Sequence, residues 1–191
     1  MGGWRSEKAM SNDFDEKLAY SKGKNGENDI QTIRTMLGCL DVRQADVSMD
    51  KRGVDYIATL RRGAQVFVDS KTREPGCRKY WRSGEEVAVE IWSVMPGGKH
   101  ETPIHRAKIG WTLDESKITD YILYTWDKTD CEFAYLVAFQ VLRVATRRNL
   151  KNWIKMFGTK IQNSGAWESQ AVFVPIGIVL EAMRDVQRIA A

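Results

Sequence analysis

Along most of the chain, apolar residues recur with a definite period, and the period changes at definable points. From Asn25 onward Ile30, Ile33, Met36 and Leu37 fall at helical spacing, and Gly38 supplies a stop. The run Gly53 to Glu74 then reads as a β-hairpin. Its halves, Val54–Tyr56–Ile57 and Val66–Phe67–Val68, are β-branched and aromatic, and Arg61–Arg62–Gly63 between them ends on a glycine suited to positive φ. Glu86 to Val94 alternates as a third strand, with Val87, Val89 and Ile91 on one face and Glu90 on the other. Two further strands are predicted at Tyr121–Trp126 and Cys131–Phe139, with a turn over Asp127–Asp130. Gln140 to Phe157 carries Leu142, Ala145, Leu150, Trp153 and Ile154 at helical spacing. Gln170–Val174 reads as a last strand, and Pro175 opens a final helix through Ile189. Asp41 to Arg52 is read as a connection. The order predicts a mixed α/β domain with a central sheet flanked by helices.

Composition narrows this picture. A chain of 191 residues that is 43% hydrophobic and 28% charged has the make-up of an ordinary globular domain. We place that domain at 25–191, preceded by a polar, partly mobile segment at 1–24 that is helical in part, from Asp13 to Tyr20. No apolar run approaches a membrane span, and MGGWRSEKAMSNDFDEK lacks the apolar centre of a signal peptide. Cys39, Cys77 and Cys131 are odd in number and widely spaced, which argues against disulfides and a cysteine zinc site and for the cytoplasm. His100 and His105 lie in the turn-rich stretch MPGGKHETPIHR without a zinc spacing.

Net charge is only +4, so any contact with a polyanion must come from local clustering. Arg143, Arg147, Lys151 and Lys155 recur every four residues, a spacing that drifts about 40° per step on a helix and makes a slanting stripe. Acids are absent from Phe133 to Trp167. A solvated helix face and a polyanion-binding face both fit that pattern. Arg78, Lys79 and Arg82 interleave with Tyr80 and Trp81, which suits phosphate contact beside base or sugar packing, or a surface loop whose Trp81 caps the core.

The hairpin carries the most specific chemistry. If its turn centres on Arg62, residues whose numbers sum to 124 lie opposite each other, and Asp55 faces Asp69. Alternation puts Lys71 on the face of Asp69. Directly opposed residues have Cβ atoms about 4.5–5.5 Å apart, where like charges repel, so a cation is expected between the two carboxylates. Arg61 or Arg73 could supply it, as could a metal ion, and Asp69 with Lys71 could be a plain ion pair. Glu90 would be in solvent or reach the same acids. On the preceding helix Glu27 and Asp29 occupy the first turn, where acids commonly offset the helix dipole.

A helix bearing an acid, a strand with Asp, then a strand reading Asp-x-Lys resembles the PD-(D/E)XK nuclease superfamily. The residues concerned are Glu27, Gly53–Val54–Asp55 and Asp69–Ser70–Lys71, with Asp55 following Gly53–Val54 rather than the proline of the family name. The EIWS strand and the GW…KITDYILY segment are similar to phage and bacterial members. The specific motifs cover Asn25 to Val94.

The resemblance implies a restriction-endonuclease-like fold and a Mg²⁺- or Mn²⁺-dependent nuclease that hydrolyses phosphodiester bonds in DNA, with endonuclease action expected. Asp55 and Asp69 would ligate the metal with the Ser70 carbonyl, Glu27 would bind it directly or through water, and Lys71 would orient or help deprotonate the attacking water. Arg73, Arg78, Lys79, Arg82, Arg143, Arg147, Lys151 and Lys155 are the expected DNA contacts. Coordinated cuts of two strands would need two sites, hence an expected homodimer. The other reading is a non-catalytic nucleic-acid-binding or interaction module on the same scaffold.

Overall fold

The structure, a computed structural model, describes residues 26–73, 84–97, 107–126, 134–163 and 168–190. The polar segment at 1–24, the basic residues Arg78, Lys79 and Arg82, both histidines and the Asp127–Asp130 turn lie outside the described residues.

Helix α1 spans 26–37 and stops at Gly38, whose φ of 57° is the left-handed conformation that ends helices cheaply. Strand β1 (Asp41–Gln44) and a single turn, α2 (Val47–Asp50), follow, the turn capped by Asp46, whose carboxylate accepts from the backbone of Ser48 and Met49. Strands β2 (Tyr56–Thr59) and β3 (Gln65–Arg73) form the predicted hairpin, and Gly63 takes φ 81° in its turn. Their register pairs Tyr56 with Val68 and Thr59 with Gln65, so partner numbers sum to 124. Then come β4 (Glu86–Val94), β5 (Lys108–Ile109), β6 (Tyr121–Trp126), β7 (Ala134–Ala138), α3 (Phe139–Phe157), β8 (Lys160–Asn163), β9 (Glu168–Pro175) and α4 (Ile176–Ala190).

The architecture is mixed α/β, but the strands divide between two sheets rather than joining one central sheet. The first is five-stranded, in the order β1-β2-β3-β6-β7, with β3 and β6 parallel and the other pairs antiparallel. The second is antiparallel, in the order β5-β4-β9-β8. A parallel pair needs a long crossover, and here the chain between β3 and β6 contributes β4 and β5 to the second sheet.

Two apolar clusters hold these layers. Ile33 of α1 packs with Val42, Tyr56, Ala58, Val68 and Leu123 on one face of the first sheet. The other cluster joins Ile122, Tyr124 and Trp126 of β6 to Val87, Val89, Val172 and Val174 of the second sheet and to Leu142, Trp153, Val179 and Met183 of α3 and α4. Alternation along β6 explains the split: Leu123 looks to α1, its neighbours to the opposite side. In β3 the same rule sends Val68 toward α1 and points Asp69, Lys71 and Arg73, the register partners of Ile122, Tyr124 and Trp126, toward the second sheet.

Strand β4 has an irregularity where it borders this region. Glu90 pairs with Ala171 and Trp92 with Gln170, so β4 carries an extra residue at Ile91. Bulges of this kind bend a strand and re-aim its side chains. The bulge is gripped by Gly110, whose N–H donates to the Ile91 carbonyl at 2.9 Å. A Cβ on Gly110 would stand 2.1 Å from the Glu90 carbonyl oxygen, a clash with backbone that no rotamer change relieves. Gly110→Ala is expected to lower the unfolding free energy by about 1–3 kcal/mol through overpacking. The control Gly63→Ala, in open space, should lose only about 1–2 kcal/mol, for its backbone conformation alone. Urea denaturation of both variants checks this, and equal urea midpoints for Gly110→Ala and the wild type would contradict it.

Candidate active site

The site begins with the end of β2. Asp55 is fixed from both sides: its N–H donates to the Val68 carbonyl at 2.9 Å, and its own carbonyl accepts from Ala45 at 2.8 Å. Just upstream, Gly53 adopts φ 82°, and the buried Thr119 hydroxyl donates to its carbonyl. Tyr56, opposite Val68, is the first residue of β2 and the end of its ladder with β3. Ser70 therefore turns its backbone to an edge that β2 no longer covers, and its N–H is taken by the Asp55 carboxylate at 2.9 Å. A strand residue points its N–H and C=O to the same side, so the Ser70 carbonyl faces that open edge too.

Asp69 lies on the inward face and is buried, with 3% of its surface exposed. Its carboxylate accepts from Lys71 Nζ, and the Asp55 carboxylate is near enough to act on it electrostatically. Burial, reinforced by the charge of Asp55 and opposed by Lys71, pushes the Asp69 carboxyl up to about 7. For Lys71, burial works against the charge, but Asp69, Asp55 and Glu90 together hold its pKa above the ordinary lysine value. Its ammonium also sits 5.8 Å from the centre of the Trp111 ring.

Asp29 of α1 approaches from the opposite face of the sheet. It is 6% exposed, and one carboxylate oxygen accepts from Ser70 Oγ at 2.7 Å and from Tyr56 OH at 3.2 Å. Burial raises its pKa despite these two donors, with a further contribution from Asp55. The same neighbourhood raises the pKa of the Tyr56 phenol, first through burial and then through Asp29. From the second sheet Glu90 faces the same space, its carboxylate accepting from Ser93 Oγ at 2.6 Å.

These groups line one cleft of about 470 Å³. Asp29, Asp55, Ser70, Lys71, Arg73 and Glu90 all border it, with Trp111 and Tyr124 as its aromatic wall. The Tyr124 hydroxyl is pinned by accepting from the Ala88 N–H at 2.9 Å.

Four sequence-predicted residues, Asp55, Asp69, Ser70 and Lys71, are thus brought together. Glu27 is not among them. It is exposed and does not border the cleft; Asp29 does. Two residues on a helix are about 200° apart, so the two acids look in opposite directions. The signal that separates them is in the sequence, because Asp29 shares the stripe of Ile33 and Leu37 at four-residue spacing whereas Glu27 does not. Glu90 takes the second of its two predicted positions, toward the acids.

The basic stripe on α3 is not a free surface throughout. Arg143 is buried: its guanidinium donates to the Asp114 carbonyl at 2.7 Å and to Gln140 Oε1 at 3.2 Å, and it stacks over Phe139. Arg147 is ion-paired with Glu115 at 2.5 Å. Lys151 and Lys155 are exposed. The acids that neutralise the stripe come from the loop before β6, remote in sequence, which is why the chain read locally shows an unmixed run of positive charge.

The donor set fits a hard divalent cation. Two carboxylates and a carbonyl are oxygen ligands, and Mg²⁺ commonly takes one or two carboxylates and keeps several waters. Among the described residues no three His, Cys, Asp or Glu side chains close around a single metal position, so the Ser70 carbonyl and solvent would complete the sphere. No helix among the described residues is long and apolar enough to cross a membrane.

The electrostatics set a sign for stability against pH. The unfolded Asp69 carboxyl loses its proton near 3.8, whereas the folded one keeps it up to about 7. Between those values the folded state binds more protons, so stability falls as pH rises. Asp29 acts in the same sense. In the absence of divalent ions the urea midpoint should therefore be lower at about pH 8 than at about pH 5, and Asp69→Asn should reduce the difference. A wild-type midpoint that climbs over this range would contradict the assignment.

Comparison with protein-family models, with curated proteins and with solved structures finds no match to this chain.

Proposed function

We propose that this protein is a divalent-metal-dependent nuclease, a phosphodiester hydrolase of the PD-(D/E)XK type acting on DNA. The observation that carries the reading is the meeting of Asp55, Asp69, Ser70 and Lys71 where β3 runs past β2, with Asp55, Ser70 and Lys71 bordering the cleft. A buried Asp69 with a second carboxylate and an ammonium beside it is not placed without cause, because burying charge costs several kcal/mol per ion unless it is well matched.

Asp55 and Asp69 would hold Mg²⁺ or Mn²⁺ with the Ser70 carbonyl, and the bound ion would supply Lewis-acid polarisation of the phosphate and a more acidic water. The chain's own groups do the rest. Lys71, aimed by Asp69 and backed by Trp111, stands where charge builds on the phosphoryl oxygens and offsets it in a site of low dielectric. It can also hold the attacking water by its remaining donors. Asp29 acts one step removed: by accepting from Ser70 Oγ it fixes the strand edge that presents the Ser70 carbonyl and the Asp55 carboxylate. Glu90 supports Lys71 from the facing sheet.

Incubation with plasmid and single-stranded DNA in Mg²⁺ or Mn²⁺ tests the reading. Asp69→Asn and Lys71→Ala should each lower the rate by roughly 10²–10⁴-fold. Wild-type protein no more active than these variants would remove the nuclease reading. Asp29→Ala should lose roughly 10–100-fold, as expected for a residue that orients ligands, while Glu27→Ala should match the wild type; equal losses at both positions would sink the assignment of the helix acid.

Metal binding has its own readout. Mn²⁺ at about a hundredfold over its dissociation constant should add about 2.7 kcal/mol to stability near neutral pH, an increment absent in Asp55→Asn. An increment retained in that variant would place the ion elsewhere.

A further inference from the structure

Trp111 borders two hollows. One is the cleft, where the Lys71 ammonium lies 5.8 Å from the centre of its ring. The other is a groove between the end of β4, strand β5 and the loop that leads to β6. A hydrogen bond also joins their walls: Ser93 Oγ, on the groove, donates at 2.6 Å to Glu90, on the cleft.

The groove holds Lys117, whose position is set by backbone. The buried Arg143 guanidinium clamps the loop by donating to the Asp114 carbonyl at 2.7 Å, and the N–H of Ile118 donates to the Arg52 carbonyl at 3.2 Å. The Lys117 stem then lies against Gly53, where a Cβ would stand 2.5 Å from its Cδ and 3.3 Å from its Cε. The absent side chain at Gly53, two residues before Asp55, leaves the stem that path. A half-buried stem of this kind keeps its ammonium at the surface.

Lys108, exposed on β5, borders the same groove. Among the described residues no acid is ion-paired with either lysine, and neither ammonium has a hydrogen-bond acceptor. One acid, Asp114, shares the groove, but its carboxylate is turned into its own loop, accepting from the Ser116 N–H at 2.9 Å and from Ser116 Oγ at 2.7 Å. Two positive groups therefore face one occupied carboxylate. Ammonium groups short of an acceptor suit phosphate oxygens, which lysine binds as a point charge.

We propose that Lys108 and Lys117 hold a backbone phosphate of the DNA outside the cleft, on the far side of Trp111 from Lys71. The identity of the polyanion rests on the nuclease reading, but the contact needs neither metal nor cleavage. The DNA backbone would pass over the Trp111 edge, with Lys71 on one side and the two lysines on the other.

The test is fluorescence anisotropy in EDTA over a range of salt, with a labelled duplex oligonucleotide and a labelled single strand of the same sequence. Lys117→Met keeps the stem on Gly53 and removes the charge, and Lys108→Gln alters an exposed residue. Each should reduce the salt slope by about 0.9 on duplex or about 0.7 on single strand. Lys117→Arg, which restores the charge, should keep the wild-type slope, as should Arg62→Gln in the exposed β2–β3 turn at the other end of β3. An unchanged slope in Lys117→Met or Lys108→Gln, an equal loss in Arg62→Gln, or no binding of either probe by the wild type would overturn the subsite. Stabilisation by Mn²⁺ keeps the two readings apart, since neither lysine borders the proposed ion. A wild type that Mn²⁺ stabilises but that binds no DNA removes the subsite and leaves the metal site. The expected slopes in a protein that Mn²⁺ does not stabilise remove the metal site and leave the subsite.

Discussion

Two carboxylates and an ammonium meet in the interior of this protein because one strand outlasts its neighbour. Strand β3 continues past the last paired residue of β2, and its residues from Ser70 onward have β6 on one side and, among the described residues, no strand on the other. Asp55, the residue where β2 gives out, folds its carboxylate onto the Ser70 N–H in place of a strand partner. That substitution satisfies a backbone donor that would otherwise be orphaned, and it brings Asp55 against Asp69. The like-charge contact, the perturbed acidity of Asp69 and the elevated lysine all descend from it.

The two sheets convert this edge into a cleft. Had all the strands joined one sheet, Asp69 and Lys71 would face solvent or a helix. Instead β4 and β9 stand opposite them, and Ala88 and Glu90 of β4 border the cleft. The bulge at Ile91, gripped by Gly110, sits directly beside Glu90. Arg73 and Lys160 stand around Phe173.

Both faces of the first sheet contribute, which distinguishes structural from chemical roles. On the α1 side Asp29 accepts hydrogen bonds from Tyr56 and Ser70, and all three border the cleft. On the inner side the buried Asp69 accepts from Lys71. Asp55 stands between the two sets, bonded to Ser70 and acting electrostatically on Asp69.

Much of this was legible in the chain before it was folded. Local periodicity located β4 and β6 to the residue and α3 to within one, and the turn at Gly63 fixed the β2–β3 register from Tyr56–Val68 to Thr59–Gln65, stopping one pair short of Asp55 and Asp69. Period and turn chemistry are local properties, so a local reading recovers them. The short strands β1, β5 and β8 escaped it, being too short to show a period and formed only because a partner edge was present. Which helix acid is buried was also encoded, in the stripe that Asp29 shares with Ile33. Folding alone decided the division into two sheets, the burial of Arg143 under the loop before β6, the pairing of Arg147 with Glu115, and the arrival of Glu90 at the cleft. Each of these depends on contacts between residues far apart in sequence. Charge and burial are properties of the assembled neighbourhood, so the sequence determined which groups the β3 edge would carry, and the tertiary structure determined what would face them.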